Sequence, residues 1–158
     1  KISQRILGDR IEIRRIRSAS KLLVNADRSI MDQVFMNLLV NARDAMPDGG
    51  ILTVETRIAE SATQAPGDGS RPGRQFIQIR ISDTGVGMSK ETLARIQEPF
   101  FTTKAPGKGT GLGLSTARRQ FNEHGGWMSV ESEPGRGTTF TPHLPLSPSA
   151  SVVFNPAH

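Results

Sequence analysis

The sequence predicts an α/β sandwich, a mixed sheet carrying helices on one of its faces. Three observations carry that expectation. Short segments alternate apolar and polar residues at the two-residue period of strands, at 11–16, 51–58 and 76–81. Between them, residues 28–46 repeat apolar positions at helical spacing. The order of these elements brings strands on either side of helices into one sheet. With 158 residues, the chain is long enough for one domain with a real core.

Taken in order, 11–16 (Ile-Glu-Ile-Arg-Arg-Ile) reads as a strand and 22–24 as a second, shorter one. Asp27 suits an N-cap, because its carboxylate can accept a free backbone N–H of the first helical turn. In the helix that follows, Ile30, Val34, Leu38, Ala42 and Ala45 form a core-facing stripe, and Pro47-Asp48-Gly49-Gly50 stops it. The strand at 51–58 places Leu52, Val54 and Thr56 on one face. Residues 60–75 are rich in Gly, Pro and Ser and read as a mobile hairpin loop. The strand at 76–81 is the clearest in the chain. Ser89 caps a short helix running to Ile96, and a further helix at 112–124 closes at Gly125 in the left-handed position past the helix end. Strands at 127–131 and 138–144 complete the sheet across the turn Pro134-Gly135-Arg136-Gly137, and residues 147–158 carry no pattern.

Composition narrows the function. No stretch reaches the roughly 20 apolar residues of a membrane span and no signal peptide opens the chain, so the sequence reads as soluble and cytoplasmic, without direct membrane contact. The absence of cysteine excludes disulfides and cysteine-held zinc and suits a reducing compartment. A net charge of +5 favours a polyanionic partner, but 20 basic against 15 acidic residues is a modest excess. With no Tyr and one Trp there are few platforms for stacking bases, and nucleic acid is not the expected partner.

Four motifs stand in fixed order: Asn37-Leu-Leu-Val-Asn41-Ala, Asp83-Thr-Gly85-Val-Gly87, Glu98-Pro-Phe100-Phe101-Thr-Thr-Lys104, and Gly109-Thr110-Gly111-Leu112-Gly113-Leu114. Asn37 and Asn41 lie four apart, with Asp44 three further on, so the three side chains share one helix face. Asp83 follows a strand, where its carboxylate faces a turn, and Gly85 and Gly87 permit positive φ and close backbone approach to a flat ligand. Gly109, Gly111 and Gly113 precede a helix start, where free N–H groups and the helix dipole favour phosphate oxygens.

Together the motifs resemble the N, G1, F and G2 boxes of the catalytic ATP-binding domain of sensor histidine kinases, within the superfamily shared with DNA gyrase B, MutL and ATP-dependent chaperones. The resemblance implies the Bergerat (GHKL) fold with a mobile ATP lid over roughly residues 10–146. It makes 1–9 the end of a preceding dimerisation helix or linker, and 147–158 a tail or linker. It implies ATP and Mg²⁺ as cofactors. Asn41 is then the metal ligand, in keeping with the oxygen preference of Mg²⁺. Asn37 stands where the superfamily's hydrolases carry a water-activating Glu, and an amide cannot remove a proton. Asp83 reads the adenine amine, supported by Thr138, while Lys104, Lys108 and the segment from Gly109 through Thr110, Gly111, Leu112 and Gly113 to Leu114 hold the phosphates. Phe100 and Phe101 couple the lid to the body.

The acceptor histidine of that family lies on a separate dimerisation domain. Here His124, His143 and His158 lack the acceptor motif, and all three read as structural or incidental. The expected partners are the dimerisation and histidine-phosphotransfer domain of the same kinase, and a response regulator or receiver domain. The piece itself is expected to be monomeric within a homodimeric, in some forms membrane-anchored, protein. Asp44 departs from the Lys common at its position and is expected to hold metal-bound water or orient Arg43. The alternative is a regulatory nucleotide-binding module, cyclic di-GMP-responsive or degenerate, using the arginines around Arg14-Arg15-Ile16-Arg17 and Arg118-Arg119.

Overall fold

Asp27 begins the longest helix as its side chain predicts. Its Oδ1 accepts the Ile30 N–H at 3.0 Å, and the helix runs Arg28–Ala45. The computed structural model describes residues 2–17, 22–60, 74–104, 106, 109, 111–147 and 152–154. In chain order its elements are α1 (Ile2–Leu7), β1 (Ile11–Ile16), β2 (Leu22–Val24), α2 (Arg28–Ala45), β3 (Gly50–Glu60), β4 (Gln75–Asp83), α3 (Lys90–Arg95), α4 (Gly113–Glu123), β5 (Trp127–Glu133), β6 (Gly137–Pro145) and β7 (Val152–Phe154).

Five strands form one sheet in the order β1-β3-β4-β6-β5. β1 runs parallel to β3 and every other neighbouring pair is antiparallel, which makes the sheet mixed as expected. α2 lies over β4 and β6 and packs against α4, which also meets β5 and β6. The two-residue period decides which side chains meet those helices. Ile77, Ile79 and Ile81 of β4, with Phe140 and Leu144 of β6, join Val34, Leu38 and Ala42 of α2 and Ala117 and Phe121 of α4 in a single core. Phe35 meets Phe121 edge to face, 6.0 Å between ring centroids.

The opposite face of the sheet is mostly polar and paired across the strands, with buried Phe76 packed edge to face on Trp127 at one end. Ser82 Oγ lies 2.9 Å from Thr139 Oγ1, and Gln78 Nε2 lies 3.0 Å from His143 Nε2. His143 stacks under Trp127 with centroids 4.2 Å apart, and burial pushes its imidazole below the ordinary histidine range. His124 ends α4, where Nδ1 meets the Gln120 carbonyl at 2.7 Å and Nε2 receives the Asp27 N–H at 3.4 Å, tying α4 to the start of α2.

Two details differ from the sequence expectation. The buried stripe of α2 is Met31, Val34, Leu38 and Ala42; Ile30 and Ala45 are only half-buried, Ala45 because the end of the helix faces a cavity rather than the core. Residues 152–154, where no pattern was legible, form β7 and pair antiparallel with β2, Leu22 opposite Phe154. Most of the expected loop at 60–75 lies outside the described residues; its ends, Glu60 and Gln75, are paired with each other, which makes the connection a hairpin.

Leu38 is 0 % exposed at the centre of this core. Leu38→Ala is expected to lower the unfolding free energy by about 2–5 kcal/mol, read as a shift of the urea midpoint at constant slope.

Candidate functional site

The phase of β4 that buries Ile77, Ile79 and Ile81 carries on to Asp83, so the last side chain of the strand also points to the helix-covered face. There the chain has a carboxylate where the core has isoleucines. Asp83 is 6 % exposed. Its Oδ1 accepts the Gly85 N–H at 2.9 Å and the Thr138 N–H at 3.2 Å, while Oδ2 takes no hydrogen bond from the described residues. Burial raises the carboxyl pKa, and the two backbone donors oppose that rise.

The loop after Asp83 is fastened on three sides. Val86 N–H donates to the Ala45 carbonyl at 2.9 Å, Gly135 N–H to the Val86 carbonyl at 2.7 Å, and Met88 N–H to Ser132 Oγ at 2.9 Å. Gly87 has φ of +68°, and a Cβ there would lie 1.9 Å from the Glu133 carbonyl oxygen. Gly85 is needed for another reason than positive φ: its Cβ would sit 2.3 Å from the Ala45 carbonyl oxygen. Backbone packs on backbone at both places, and only glycine fits.

This loop forms one wall of a cavity of about 360 Å³, within the range of small-molecule sites. Asn37, Asn41 and Asp44 line it from α2; Asp83, Val86, Gly87 and Met88 from the loop; Thr138 and Phe140 from β6; and Phe101, Lys104, Gly109, Gly111, Gly113 and Leu114 from the segment leading into α4. Gly113 lies against Asn37, whose side chain would meet an added Cβ at 3.7 Å. Ten of the expected residues thus line one space, whereas Gly85 and Leu112 do not: Gly85 is packed against the Ala45 carbonyl of α2 instead. Lys108 and Thr110 lie outside the described residues, as do Ala105 and Gly107 of the segment expected to form a lid. Leu112 is exposed and sits at the N-cap of α4, one residue before the helix proper, rather than inside it.

One rim of the cavity is charged. Asp44 Oδ2 lies 2.6 Å from Lys104 Nζ, and Asp44 Oδ1 lies 2.9 Å from an Arg43 terminal nitrogen. Arg43 reaches on to the Ile6 carbonyl of α1 at 3.3 Å. Desolvation pulls the Asp44 carboxyl upward, but hydrogen bonds from Lys104 and Arg43 outweigh it and hold the group below its ordinary value. Asp44 therefore orients Arg43 and also engages Lys104, which the sequence reading had only as a phosphate contact. Phe100, the one described non-glycine residue with positive φ (66°), is 75 % exposed beside Gly111, whose backbone lies against it. None of the arginines of the second-nucleotide reading lines the cavity, and Arg14 and Arg119 are paired with Glu12 and Glu123.

Ser132 and Thr84 escaped the sequence reading. Thr84 Oγ1 accepts the Ile51 N–H at 3.0 Å and so fastens the loop to β3. Ser132 shares the strand phase of Met128 and Val130, so a polar residue stood at a core-facing position, and that was the available signal.

A family model described as "Histidine kinase-, DNA gyrase B-, and HSP90-like ATPase" matches residues 26–148. The chain is 42% identical over 142 residues to "Sensor kinase CckA" of Brucella abortus, covering 89% of this chain and 15% of that protein. It is 36% identical over 141 residues to "Sporulation kinase C" of Bacillus subtilis, covering 89% of this chain and 29% of that protein. It therefore spans less than a third of the length of these relatives. Among solved structures, the "catalytic domain of histidine kinase ThkA" superposes with a TM-score of 0.69 at 28% identity, over 93% of this chain and 86% of that one. Full-length ShkA "in complex with AMPPNP" matches with a TM-score of 0.68 at 25% identity, over 95% of this chain and 28% of that one.

The raised pKa of Asp83 has a definite sign in stability. The folded state holds this proton to higher pH than the unfolded chain, so stability falls as pH rises from the ordinary aspartate range through the raised value, then levels off. Asp83→Asn keeps an acceptor for Gly85 and Thr138 and removes the buried charge. It is expected to melt at or above the wild-type temperature at neutral pH and to lose that acid-side decline, as thermal unfolding across mildly acidic to neutral buffers would show. A clearly lower melting temperature at neutral pH would contradict it.

Proposed function

This chain belongs to the histidine kinase-, DNA gyrase B- and HSP90-like ATPase family, and we propose that it binds Mg·ATP and presents the γ-phosphate to a histidine on a separate dimerisation domain. The observation that carries this reading is the buried Asp83. One of its oxygens is fixed by two backbone donors and the other is left for a donor in the cavity. An ionised carboxylate there accepts from an exocyclic amine, such as that of adenine, and offers nothing to a carbonyl. Across the cavity stand the two amides of α2 and the glycines at the start of α4.

In this reading the adenine lies between the Asp83 loop and Thr138, and the phosphates extend toward Lys104, Gly109, Gly111 and the N-terminus of α4. Among the described residues there is no cluster of three or more His, Cys, Asp or Glu side chains fit to hold a metal. That suits Mg²⁺, which takes few protein oxygens and completes its shell with water and phosphate. The Asn41 carbonyl oxygen is the ligand we assign, and the ion supplies neutralisation of β- and γ-phosphate charge when bound. Asn37 lies beside Gly113 and cannot act as a general base, so water at that place is not activated. In the transfer itself an imidazole nitrogen of the partner domain forms the new bond to the γ-phosphorus while the bridging oxygen leaves with ADP. The chain's contribution is positioning and charge.

The dimerisation domain is the partner we assign, with a response regulator or receiver domain downstream. Exposed Phe100 and Leu112, both beside the cavity's glycine-rich edge, offer an apolar seat for the former. No described helix is long and apolar enough to cross a membrane.

Calorimetric titration with Mg·ATP should give micromolar binding, about −7 to −8 kcal/mol, that disappears in Asp83→Ala. Absence of binding by the wild type would sink the reading. Joined to its acceptor domain, the wild type should autophosphorylate and Asn41→Ala should not; an undiminished rate in Asn41→Ala would remove the metal assignment while leaving the adenine site standing.

A further inference from the structure

Ser132 stands opposite Thr138 in the β5–β6 register, on the helix-covered face of the sheet. Its hydroxyl meets three groups. It receives the Met88 N–H at 2.9 Å, reaches the Gly137 carbonyl oxygen at 3.1 Å and lies 2.8 Å from Thr138 Oγ1. A serine hydroxyl has one proton and two lone pairs. The Gly137 carbonyl can only accept, so the Ser132 proton goes there. The Met88 N–H occupies one lone pair. The other faces Thr138 Oγ1, and that contact is a hydrogen bond only if Thr138 donates.

Thr138 is 5 % exposed and lines the cavity beside Asp83. With its proton committed to Ser132, its hydroxyl shows the cavity lone pairs alone. Asp83 Oδ2 next to it does the same. We infer that Ser132 is a positioning residue of the base site: by taking the Thr138 proton it makes this end of the cavity accept hydrogen bonds only, and so sets selectivity for a base edge bearing an amine over one bearing a carbonyl. The inference rests on the nucleotide reading and deepens it. Ser132 itself need not touch the base.

The test is a comparison of Mg·ATP with Mg·ITP, in which a carbonyl replaces the amine, by calorimetry on the whole chain. Wild type should favour ATP. In Ser132→Ala the freed Thr138 hydroxyl can turn its proton to the carbonyl, and the ATP/ITP preference should narrow by about tenfold, the worth of one hydrogen bond. Ser132→Thr, which restores a hydroxyl, should recover it. Thr138→Val should narrow the preference by itself, and adding Ser132→Ala to it should change nothing more. Equal weakening of both nucleotides in Ser132→Ala would mean that Ser132 only braces the loop through Met88, and would overturn the inference, as would an unchanged preference in Ser132→Ala or Thr138→Val. Failure of the wild type to bind either nucleotide is a separate result that removes the nucleotide reading and this inference with it.

Discussion

A carboxylate held inside the core is the constraint on which the rest of this structure depends. Asp83 occupies the position that its strand's period gives to an isoleucine, and a charge there is costly unless hydrogen-bonded. The donors that satisfy it are backbone groups from two different segments, Gly85 and Thr138. Both must come very close. A Cβ on Gly137 would lie 1.9 Å from the Asp83 carbonyl oxygen, and one on Gly85 would lie 2.3 Å from the Ala45 carbonyl oxygen. Gly137 at the β5–β6 turn is therefore a condition for the backbone approach at Asp83, Gly85 lets the loop pack on α2, and the loop is hydrogen-bonded to α2, β3 and β5 around it.

The two ends of the cavity are built on different physics. The Asp83 end relies on backbone hydrogen bonds and close packing, which leave little freedom and respond weakly to salt. The opposite rim relies on side-chain ion pairs at Asp44, Arg43 and Lys104, all partly open to solvent. Pairs of that kind contribute about 0–1 kcal/mol each and are screened by salt. A dense anionic group such as a triphosphate can therefore draw Lys104 away from Asp44 at little cost. The same carboxylate also holds Arg43, which touches the Ile6 carbonyl, so rearrangement at this rim can be felt at α1.

Much of this was legible in the sequence, and the reasons are local. Asp27, Ser89 and Gly125 mark helix ends because their capping chemistry involves only the adjoining turn. Asn37 and Asn41 could be placed because the helix period determines their face, whereas Asp83, expected to face a turn beyond its strand, proves to be the strand's last core-facing residue. What stayed hidden depends on contacts between distant segments. Thr84 and Ser132 tie the loop down through neighbours 33 and 44 residues away, and although a polar residue in the core-facing phase marked Ser132 as unusual, its partner across the fold could not be read. The pairing of β7 with β2 joins two three-residue strands from opposite ends of the chain, too short for any period to be read. Gly85 is expected to permit positive φ and close approach to a flat ligand, whereas its actual constraint is a close approach to α2 that only the fold reveals.

In the proposed reading the arrangement separates holding ATP from consuming it. Hydrolysis needs a base aimed at a water beside the γ-phosphate, and α2 offers an amide there, near Gly113. Neither described histidine can take the phosphoryl group from this cavity. His124 is spent between α4 and the start of α2, and His143 is stacked under Trp127 on the far face of the sheet. The stiff Asp83 end then determines which nucleotide stays, and the exposed rim and glycine-rich edge determine when its phosphates become reachable. A group brought from outside must complete the reaction, and control over that approach is control over the chemistry.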